Sequence, residues 1–472
     1  MSIKTLGKES LVYGTGHVLA RLITFLLLPI YTHVFSPEEY GIISLAYAFI
    51  GFSMMFYRYG MDTALMKYSV QLSSDNRTAY ISSIYIVQLI SSIIFSAVLY
   101  FVRDYVSESI LTVDNPDWII IIAGILMLDN LWNHHVLLLR AENRPGSYIF
   151  INLLNVILTM ALNILLIVKW DLGIEGVLIS NLLASCIIFI FSFPIIIKRI
   201  NLSLIKANFI KDIIVFGLPF LPAGIFTMMM ELSNRYILEW LNGTHAVGLF
   251  SAGYKLGIFG LIIVMGFNMG WTPYFLKRIK ETGAKQEFSH IASLFLGVLG
   301  FIVVMISIWL PEIMRLKIGS NYLIGDSFWS ADKVVSIVLI SYFFFGTYVI
   351  QLPGVYAKEI TVWIPIFRAI GAISNISFNI ILIPKYGVLG SAWATTISFF
   401  LMSLSVYIKL FNIYYVKYNF NAFFYPIVFM AIIFYPSQSV LARVFIGFCY
   451  WVGWYFLAIS KDEKIMIKEL LH

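Results

Sequence analysis

Charged side chains are scarce in this sequence. Asp, Glu, Lys and Arg make up 12% of its 472 residues, against roughly 25% in a typical soluble domain. Hydrophobic residues make up 60%, and apolar runs of about 20 residues recur along the chain, each long enough to cross a bilayer as a helix. The composition excludes a soluble globular protein and predicts an all-α polytopic membrane protein.

Cysteine is equally rare, and several functional signatures are missing. Cys186 and Cys449 both lie in apolar runs, so no disulfide framework or cysteine-based metal site is expected. No Gly-rich phosphate loop precedes a lysine, and the N-terminus lacks the pattern of a cleaved signal peptide. The longest outer gap, at about 311–331, is too short to fold alone. We expect a transporter and not an enzyme, without cofactors.

Basic residues are unevenly distributed between the connecting segments. Twenty of the 32 fall in alternate gaps, whereas the opposite gap RDYVSESILTVDNPD (103–117) is acidic. By the positive-inside rule the basic gaps and both termini are cytoplasmic, which an even helix count requires. The net charge of +7 is then a topology signal, and no nucleic-acid partner is expected. The predicted helices number about 14, at roughly 9–35, 40–66, 79–102, 117–139, 147–168, 173–197, 212–238, 246–275, 288–310, 332–356, 361–383, 387–409, 421–437 and 439–460.

The chain also contains an internal repeat. Asn163-Ile-Leu-Leu-Ile-Val-Lys169 and Gly173-Ile-Glu-Gly176 recur as Asn379-Ile-Ile-Leu-Ile-Pro-Lys385 and Gly387-Val-Leu-Gly390. The segment EEYGIISLAYAF (38–49) is likewise similar to HAVGLFSAGYKL (245–256). The offsets of 216 and 207 residues each correspond to six predicted helices. Because six is even, the copies share an orientation and are related by an axis along the membrane normal.

The repeat defines a domain organisation. We predict an N-terminal six-helix lobe over residues 1–200 and a second six-helix lobe over residues 201–410. Two extra helices and a cytoplasmic tail follow over residues 411–472. Parallel repeats of this kind usually enclose a substrate path, so we expect a central cavity between the lobes.

Five short motifs, taken in their order and spacing, carry a family resemblance over roughly residues 5 to 410. The sequence resembles the Wzx-type polysaccharide flippases of the multidrug/oligosaccharidyl-lipid/polysaccharide exporter superfamily. The motifs are Arg21-Leu-Ile-Thr-Phe-Leu-Leu-Leu-Pro-Ile-Tyr-Thr32, Phe35-Ser-Pro-Glu-Glu-Tyr-Gly41, Leu139-Arg140-Ala141-Glu142, Val247-Gly-Leu-Phe-Ser251 and Tyr386-Gly-Val-Leu-Gly390.

The resemblance implies a fourteen-helix, two-lobed transporter of the bacterial inner membrane. It implies a substrate, an undecaprenyl-diphosphate-linked oligosaccharide repeat unit, that is moved to the outer leaflet for O-antigen or capsule synthesis. It also implies alternating access driven by an ion gradient, and functional partners in a polysaccharide polymerase and a chain-length regulator.

Embedded cations are the candidate substrate-binding residues. Arg21 lies 12 residues past Glu9, about 18 Å into the first helix, and shares a helical stripe with His17. Arg21 is either a cavity cation for an anionic head group or half of an interhelical ion pair. The second repeat contributes Lys255 and Arg368. With Arg58 these make four embedded cations, and the lack of four evident acidic partners favours a shared basic cavity.

Arg58 and Asp62 lie four residues apart near the end of the second predicted helix. Arg58 is nine residues short of Lys67, hence about 13 Å from the inner interface. One interpretation is a salt bridge along the helix. The other is that Arg58 faces a water-filled cavity while Asp62 steadies it, since a diphosphate needs donors that stay charged in contact with water.

Polar residues at matching depth are the candidates for ion coupling. Asp129, 11 residues from both Trp118 and Arg140, suits a proton carrier, and an ordinary ion pair with Arg21 or Arg58 is the alternative. Oxygen ligands suit a hard cation such as sodium; the alternative for Asn375 and Asn379 is a hydrogen bond between helices. Besides Asp62 and Asp129, the candidates are Glu231, Asn375, Asn379 and Thr395.

Two other functions compete with a flippase. A multidrug antiporter of the same superfamily would carry cationic amphiphiles, which embedded arginines would repel. An oligosaccharide polymerase or a lipid-dependent glycosyltransferase would need a sizeable outer loop carrying catalytic residues, and the outer loops here are short.

Overall fold

The computed structural model describes residues 19, 23, 25–72, 74–435 and 439–465. Within these residues ten helical segments are long and apolar enough to cross a membrane. One short antiparallel pair, β1 (Lys317–Ile318) with β2 (Asn321–Tyr322), is the strand structure found there. The predicted all-α membrane fold is confirmed, and the count of fourteen helices stays a prediction.

Chain contacts divide the protein into two compact units, one ending at Gly248 and the other beginning at Leu249. The predicted lobes of residues 1–200 and 201–410 stay a prediction. The described helices of the first unit are α1 (Leu27–Val34), α2 (Pro37–Arg58), α3 (Met61–Gln71), α4 (Ser74–Phe101), α5 (Arg103–Val106), α6 (Asp117–Ala141), α7 (Pro145–Asn163), α8 (Gly173–Ile197), α9 (Ala207–Gly217) and the start of α10 (Phe220–Arg278). Single π-turns follow α5 and α7, at Ser107–Leu111 and Ile164–Lys169, and a 3₁₀ turn lies at Leu202–Leu204.

Helix α2 is sharply defined at both ends. Ser36 forms a capping box with Glu39, and Pro37 occupies the first turn, where its missing N–H costs no hydrogen bond. The helix ends at Arg58 because Tyr59 and Gly60 adopt positive φ angles of 27° and 82°. Helix α3 then begins at Met61. The sequence predicted one helix over residues 40–66, and this break was not foreseen.

The start of α2 crosses the chain that follows Gly243 at very close range. A Cβ on Gly41 would lie 2.0 Å from the Thr244 carbonyl oxygen, and a Cβ on Gly248 would lie 1.8 Å from the Pro37 carbonyl oxygen. Thr244 and Gly248 stand 207 residues after Pro37 and Gly41, which is the repeat offset. The two repeat copies therefore touch each other at equivalent residues, and only glycine allows so close an approach.

The C-terminal end of α2 also makes a close contact between glycines. A Cβ on Gly60 would lie 1.9 Å from the Gly217 carbonyl oxygen. Gly217 ends α9, just before α10 begins at Phe220. Two helix breaks therefore meet here, and α2 is held against this part of the first unit at both of its ends.

An ion-pair cluster fastens three helices of the first unit at one membrane face. Glu142, which follows α6, accepts hydrogen bonds from both Arg199 Nη1 at 2.9 Å and Arg199 Nη2 at 3.0 Å. Arg77 Nη2 of α4 donates to Glu142 Oε1 at 3.1 Å. Two-pronged arginine–carboxylate pairs fix geometry as well as charge. Glu142 belongs to the Leu139–Glu142 motif, so the structure assigns that motif a tethering role.

The second unit surrounds one almost fully buried helix, α12 (Asp332–Ala357). Helices α10 and α13 (Trp363–Phe411) each contain a break at a glycine, Gly243 or Gly387, where φ is 79° or 54°. Gly173, the repeat partner of Gly387, has a φ of 56°, so the two copies turn alike. The remaining helices are α11 (Ala284–Met314), α14 (Phe420–Met430) and α15 (Val440–Gly453), with 3₁₀ turns at Asp326–Ala331 and Ala431–Phe434 and a π-turn at Trp454–Ala458.

Candidate functional site

Arg58 and Asp62 flank the break between α2 and α3. Their Nη1 and Oδ2 atoms are 3.4 Å apart, with 32% and 28% of the side chains exposed. Asp62 also interacts with the side chain of Asn133 on α6. The predicted salt bridge is therefore present, and Arg58 is nevertheless exposed enough to meet a ligand.

Asp129 is the second carboxylate near Arg58. Its Oδ1 accepts hydrogen bonds from Trp132 Nε1 at 2.9 Å and from the Ser185 hydroxyl of α8. Asp129 also interacts electrostatically with Arg58. The proposed pairing of Asp129 with Arg58 is therefore present as an electrostatic interaction, and the proposed pairing with Arg21 lies outside the described residues. Arg58 thus has two acidic partners, Asp62 in a salt bridge and Asp129 through a longer-range electrostatic interaction.

A chain of buried amides lies next to this cluster. Asn130 Nδ2 donates to Ser92 Oγ at 2.9 Å and to the Tyr57 carbonyl oxygen at 3.2 Å. Gln88 Nε2 donates to Asn130 Oδ1 at 3.2 Å, and Gln88 Oε1 lies 3.2 Å from His134 Nδ1. The network ties α2, α4 and α6 together beside Arg58, so the helix ends there at a fixed position.

His134 is a polar residue of α6 that the sequence does not mark as part of a site. His134 and its neighbour His135 are 1% and 2% exposed. Because the side-chain oxygen of Gln88 can only accept, His134 Nδ1 is the donor of this hydrogen bond. The spacing of Gln88, Asn130 and His134 gave no signal of this contact, because it depends on how α4 packs against α6.

The embedded cations of the second unit lie on different helices. Lys255 lies in α10 beyond the Gly243 break, and its side chain is half-buried. Arg368 in α13 hydrogen-bonds the hydroxyl of Tyr348 in α12. Arg21 and His17 lie outside the described residues, so the shared basic cavity stays a prediction.

Two of the ion-coupling candidates of the second unit, Asn375 and Asn379, are in direct contact. Asn379 Nδ2 donates to Asn375 Oδ1 at 2.9 Å and to its carbonyl oxygen at 2.8 Å, and both side chains are fully buried. Thr395 donates to the Ser391 carbonyl oxygen at 3.1 Å. Glu231 is exposed and lies in the first unit. Within the described residues no group of three His, Cys, Asp or Glu side chains is placed to hold a metal ion.

Solved structures of other proteins show which fold this chain has. The chain aligns over 98% of its length with 99% of the "Lipid II flippase MurJ, inward closed conformation", at 15% identity and a TM-score of 0.73. It aligns over 93% of its length with 97% of a "multidrug resistance MATE family transporter of the MOP superfamily", at 15% identity and a TM-score of 0.59. The fold is that of the flippases and transporters of this superfamily.

The sequence itself identifies the family. Residues 6–278 match the family described as "Polysaccharide biosynthesis protein", and the chain belongs to that family. It is similar to the "Capsular polysaccharide biosynthesis protein CapF" of Staphylococcus aureus, at 27% identity over 48% of this chain and 58% of that relative. It is also similar to an uncharacterized membrane protein of Methanocaldococcus jannaschii, at 24% identity over 84% of this chain and 83% of the relative. The predicted family resemblance is confirmed.

Proposed function

We propose that this protein is a flippase for undecaprenyl-diphosphate-linked oligosaccharide repeat units, a transporter and not an enzyme. It would supply O-antigen or capsule synthesis by ion-coupled alternating access. The proposal is supported by the polysaccharide biosynthesis family and by a fold found in a lipid-linked substrate flippase.

The observation that carries the proposal is Arg58 at a helix break within the membrane-spanning part of the chain. Its side chain is 32% exposed although it faces Asp62, and its Nε, which is itself buried, makes no hydrogen bond to any described residue. A guanidinium stays charged at all relevant pH values and can bind two phosphate oxygens at once. Lys255, Arg368, Arg21 and His17 are the further candidates for the same head group.

The proposed setting follows from the charge of the connecting segments. The protein would lie in the bacterial inner membrane with both termini cytoplasmic. A polysaccharide polymerase would consume the translocated repeat unit, and this polymerase and a chain-length regulator are the proposed functional partners.

Ion coupling would use polar residues of both units. Asp62 pairs with Arg58 and Asp129 interacts with it electrostatically, so a change in their protonation or pairing would alter how strongly Arg58 holds phosphate. Asn375, Asn379, Thr395 and Glu231 are the proposed oxygen ligands for sodium.

The test is export of polysaccharide in a deletion strain complemented with variants. We expect deletion to trap lipid-linked repeat units in the inner leaflet. Arg58→Ala and Arg21→Ala should abolish export while the protein still inserts, and Arg103→Ala, which changes an arginine of the acidic gap, is the matched control. Full export by both alanine variants would contradict an anionic substrate.

A multidrug or cation antiporter is the second candidate, favoured by the two carboxylates that accompany one arginine at the α2–α3 break. The same strain decides between the candidates. If the protein is an antiporter, the deletion strain will still translocate the repeat units. The same strain will instead contain more of a cationic dye than the parent strain.

A further inference from the structure

The second unit contains a wide polar cup at the start of α11. The cup has a volume of about 790 Å³ and is lined by the first turns of α11, the segment between α13 and α14, and residues 457–463. Its charged side chains are Lys285, Lys417, Asp462 and Glu463, and His290 also lines it. The charges of two ammonium groups and two carboxylates balance, so the cup as a whole suits neither a simple anion nor a simple cation.

The walls of the cup are held by hydrogen bonds. Ser289 Oγ donates to the Lys417 carbonyl oxygen at 2.7 Å. Asn419 Nδ2 donates to the Ala458 carbonyl oxygen at 2.8 Å and to Glu463 Oε2 at 3.1 Å. Because these contacts join three separate segments of the chain, the charged side chains are presented on a fixed frame.

An apolar slot of about 230 Å³ adjoins the cup. Tyr418, Asn419 and Phe420 line both spaces. Three polar side chains of the slot, Thr347, Gln351 and Ser403, hydrogen-bond one another at 2.7 to 2.8 Å. The remaining walls are mostly Phe, Leu and Ile side chains, so the slot suits hydrocarbon.

The slot lies deeper in the membrane than the cup. On α11, residues 285–290 line the cup and residues 292–296 line the slot. At a rise of about 1.5 Å per residue, the slot begins about 12 Å along the helix from Ala284. The interfacial layer on each side of a bilayer is about 5–7 Å thick, so the cup lies at head-group depth and the slot within the hydrocarbon.

We propose that the cup and the slot together bind one bilayer phospholipid with a primary ammonium head group, such as phosphatidylethanolamine. Its phosphate would lie against Lys285 and Lys417, its ammonium against Asp462 and Glu463, and one acyl chain in the slot. Glu463 is 1% exposed, and its Oε1 makes no hydrogen bond to any described residue, which leaves an acceptor for the ammonium. None of these residues is a candidate for substrate or ion coupling.

The experiment is native mass spectrometry of the full-length protein after reconstitution with an equimolar mixture of phosphatidylethanolamine, phosphatidylglycerol and phosphatidylcholine. We expect preferential retention of one phosphatidylethanolamine. Lys417→Ala and Glu463→Gln should each lower that retention about tenfold, the loss of one charge-assisted hydrogen bond. Lys417→Ala leaves the backbone contact with Ser289 intact, and Lys461→Ala, an exposed lysine outside the cup, is the matched control.

Three further outcomes bear on the proposal. Leu404→Trp, which narrows the slot, should lower retention if an acyl chain lies there, and unchanged retention would overturn that part. Equal retention of the three lipids would show an unselective lipid shell and overturn the site. Displacement of phosphatidylethanolamine by a polyprenyl diphosphate would assign the site to the transported substrate and likewise overturn the proposal. The export assay above tests the flippase function separately.

Discussion

The contact between Gly41 and Gly248 permits a quantitative prediction about helix separation. In Gly41→Ala the new methyl carbon would lie 2.0 Å from the Thr244 carbonyl oxygen, whereas ordinary van der Waals contact begins at 3.4 Å. The difference, 3.4 − 2.0 = 1.4 Å, must come from separation of two backbones, because no flexible side chain can yield. Overpacking of this kind typically costs about 1–3 kcal/mol.

If the contact between α2 and the Thr244–Gly248 segment opens and closes during transport, the overpacking energy changes the equilibrium between the state with the contact closed and the state with it open. A change of about 1–3 kcal/mol corresponds to about 5- to 150-fold in the equilibrium constant. We therefore expect Gly41→Ala to reduce the population with α2 in contact with the Thr244–Gly248 segment by a factor in this range. Because the mutation destabilises only the contacting state, transport should slow as well.

The assay is the rate of disulfide formation between cysteines placed at Glu38 and His245, in a background in which both native cysteines are serine. The side chains of Glu38 and His245 are hydrogen-bonded with 2.6 Å between Oε1 and Nδ1, so the engineered thiols report the contact directly. Gly41→Ala should slow crosslinking by the same factor.

Two other glycines provide a graded control. A Cβ on Gly266 would meet nothing within 4 Å, and a Cβ on Gly51 would lie 3.0 Å from the movable end of Leu232. We expect no change for Gly266→Ala and a small change for Gly51→Ala. Crosslinking in Gly41→Ala as fast as in Gly266→Ala would refute the reasoning.

Three further predictions concern charge and hydrogen bonding. Arg58→Lys should keep partial export, measured as surface polysaccharide, where Arg58→Ala abolishes it. The reason is that lysine keeps the charge but loses the two-pronged geometry of the guanidinium. Equal loss of export in the two variants would contradict this. Glu142→Ala leaves Arg77 and Arg199 without their shared carboxylate and should destabilise the protein by about 1–3 kcal/mol, the usual cost when a charged group loses its partner. The loss should be seen as a lower unfolding temperature in detergent. An unchanged temperature would argue against a tethering role. In proteoliposomes with separately imposed sodium and proton gradients, Asn379→Ala and Glu231→Gln should abolish sodium-driven transport, and sodium-independent transport that survives both changes would remove these residues from the ion site.

The sequence alone was sufficient for the class of fold and for the family. Membrane segments could be predicted because the free energy of transferring a side chain into hydrocarbon depends mainly on that side chain. With 60% hydrophobic residues in long runs, the apolar runs identify the membrane segments. The repeat was also visible, and its glycines Gly173 and Gly387 share nearly the same positive φ. Local chemistry thus determined which segments span the membrane and where several of them turn.

The partners of the polar side chains were decided only by the tertiary structure. Spacing along one helix predicted the Arg58–Asp62 pair, because residues four apart share a helix face. It could not predict that Asp129 approaches Arg58, that Gln88 joins Asn130 to His134, or that α2 breaks after Arg58.

The physical reason is the weakness of the hydrophobic effect between helices inside a bilayer. Lipid chains are as apolar as leucine, so helix neighbours are chosen by close packing and by hydrogen bonds between helices. Gly41 and Gly248 meet because two small residues at equivalent repeat positions allow backbone contact. That choice depends on residues 207 positions apart, and it exists only once the helices have packed.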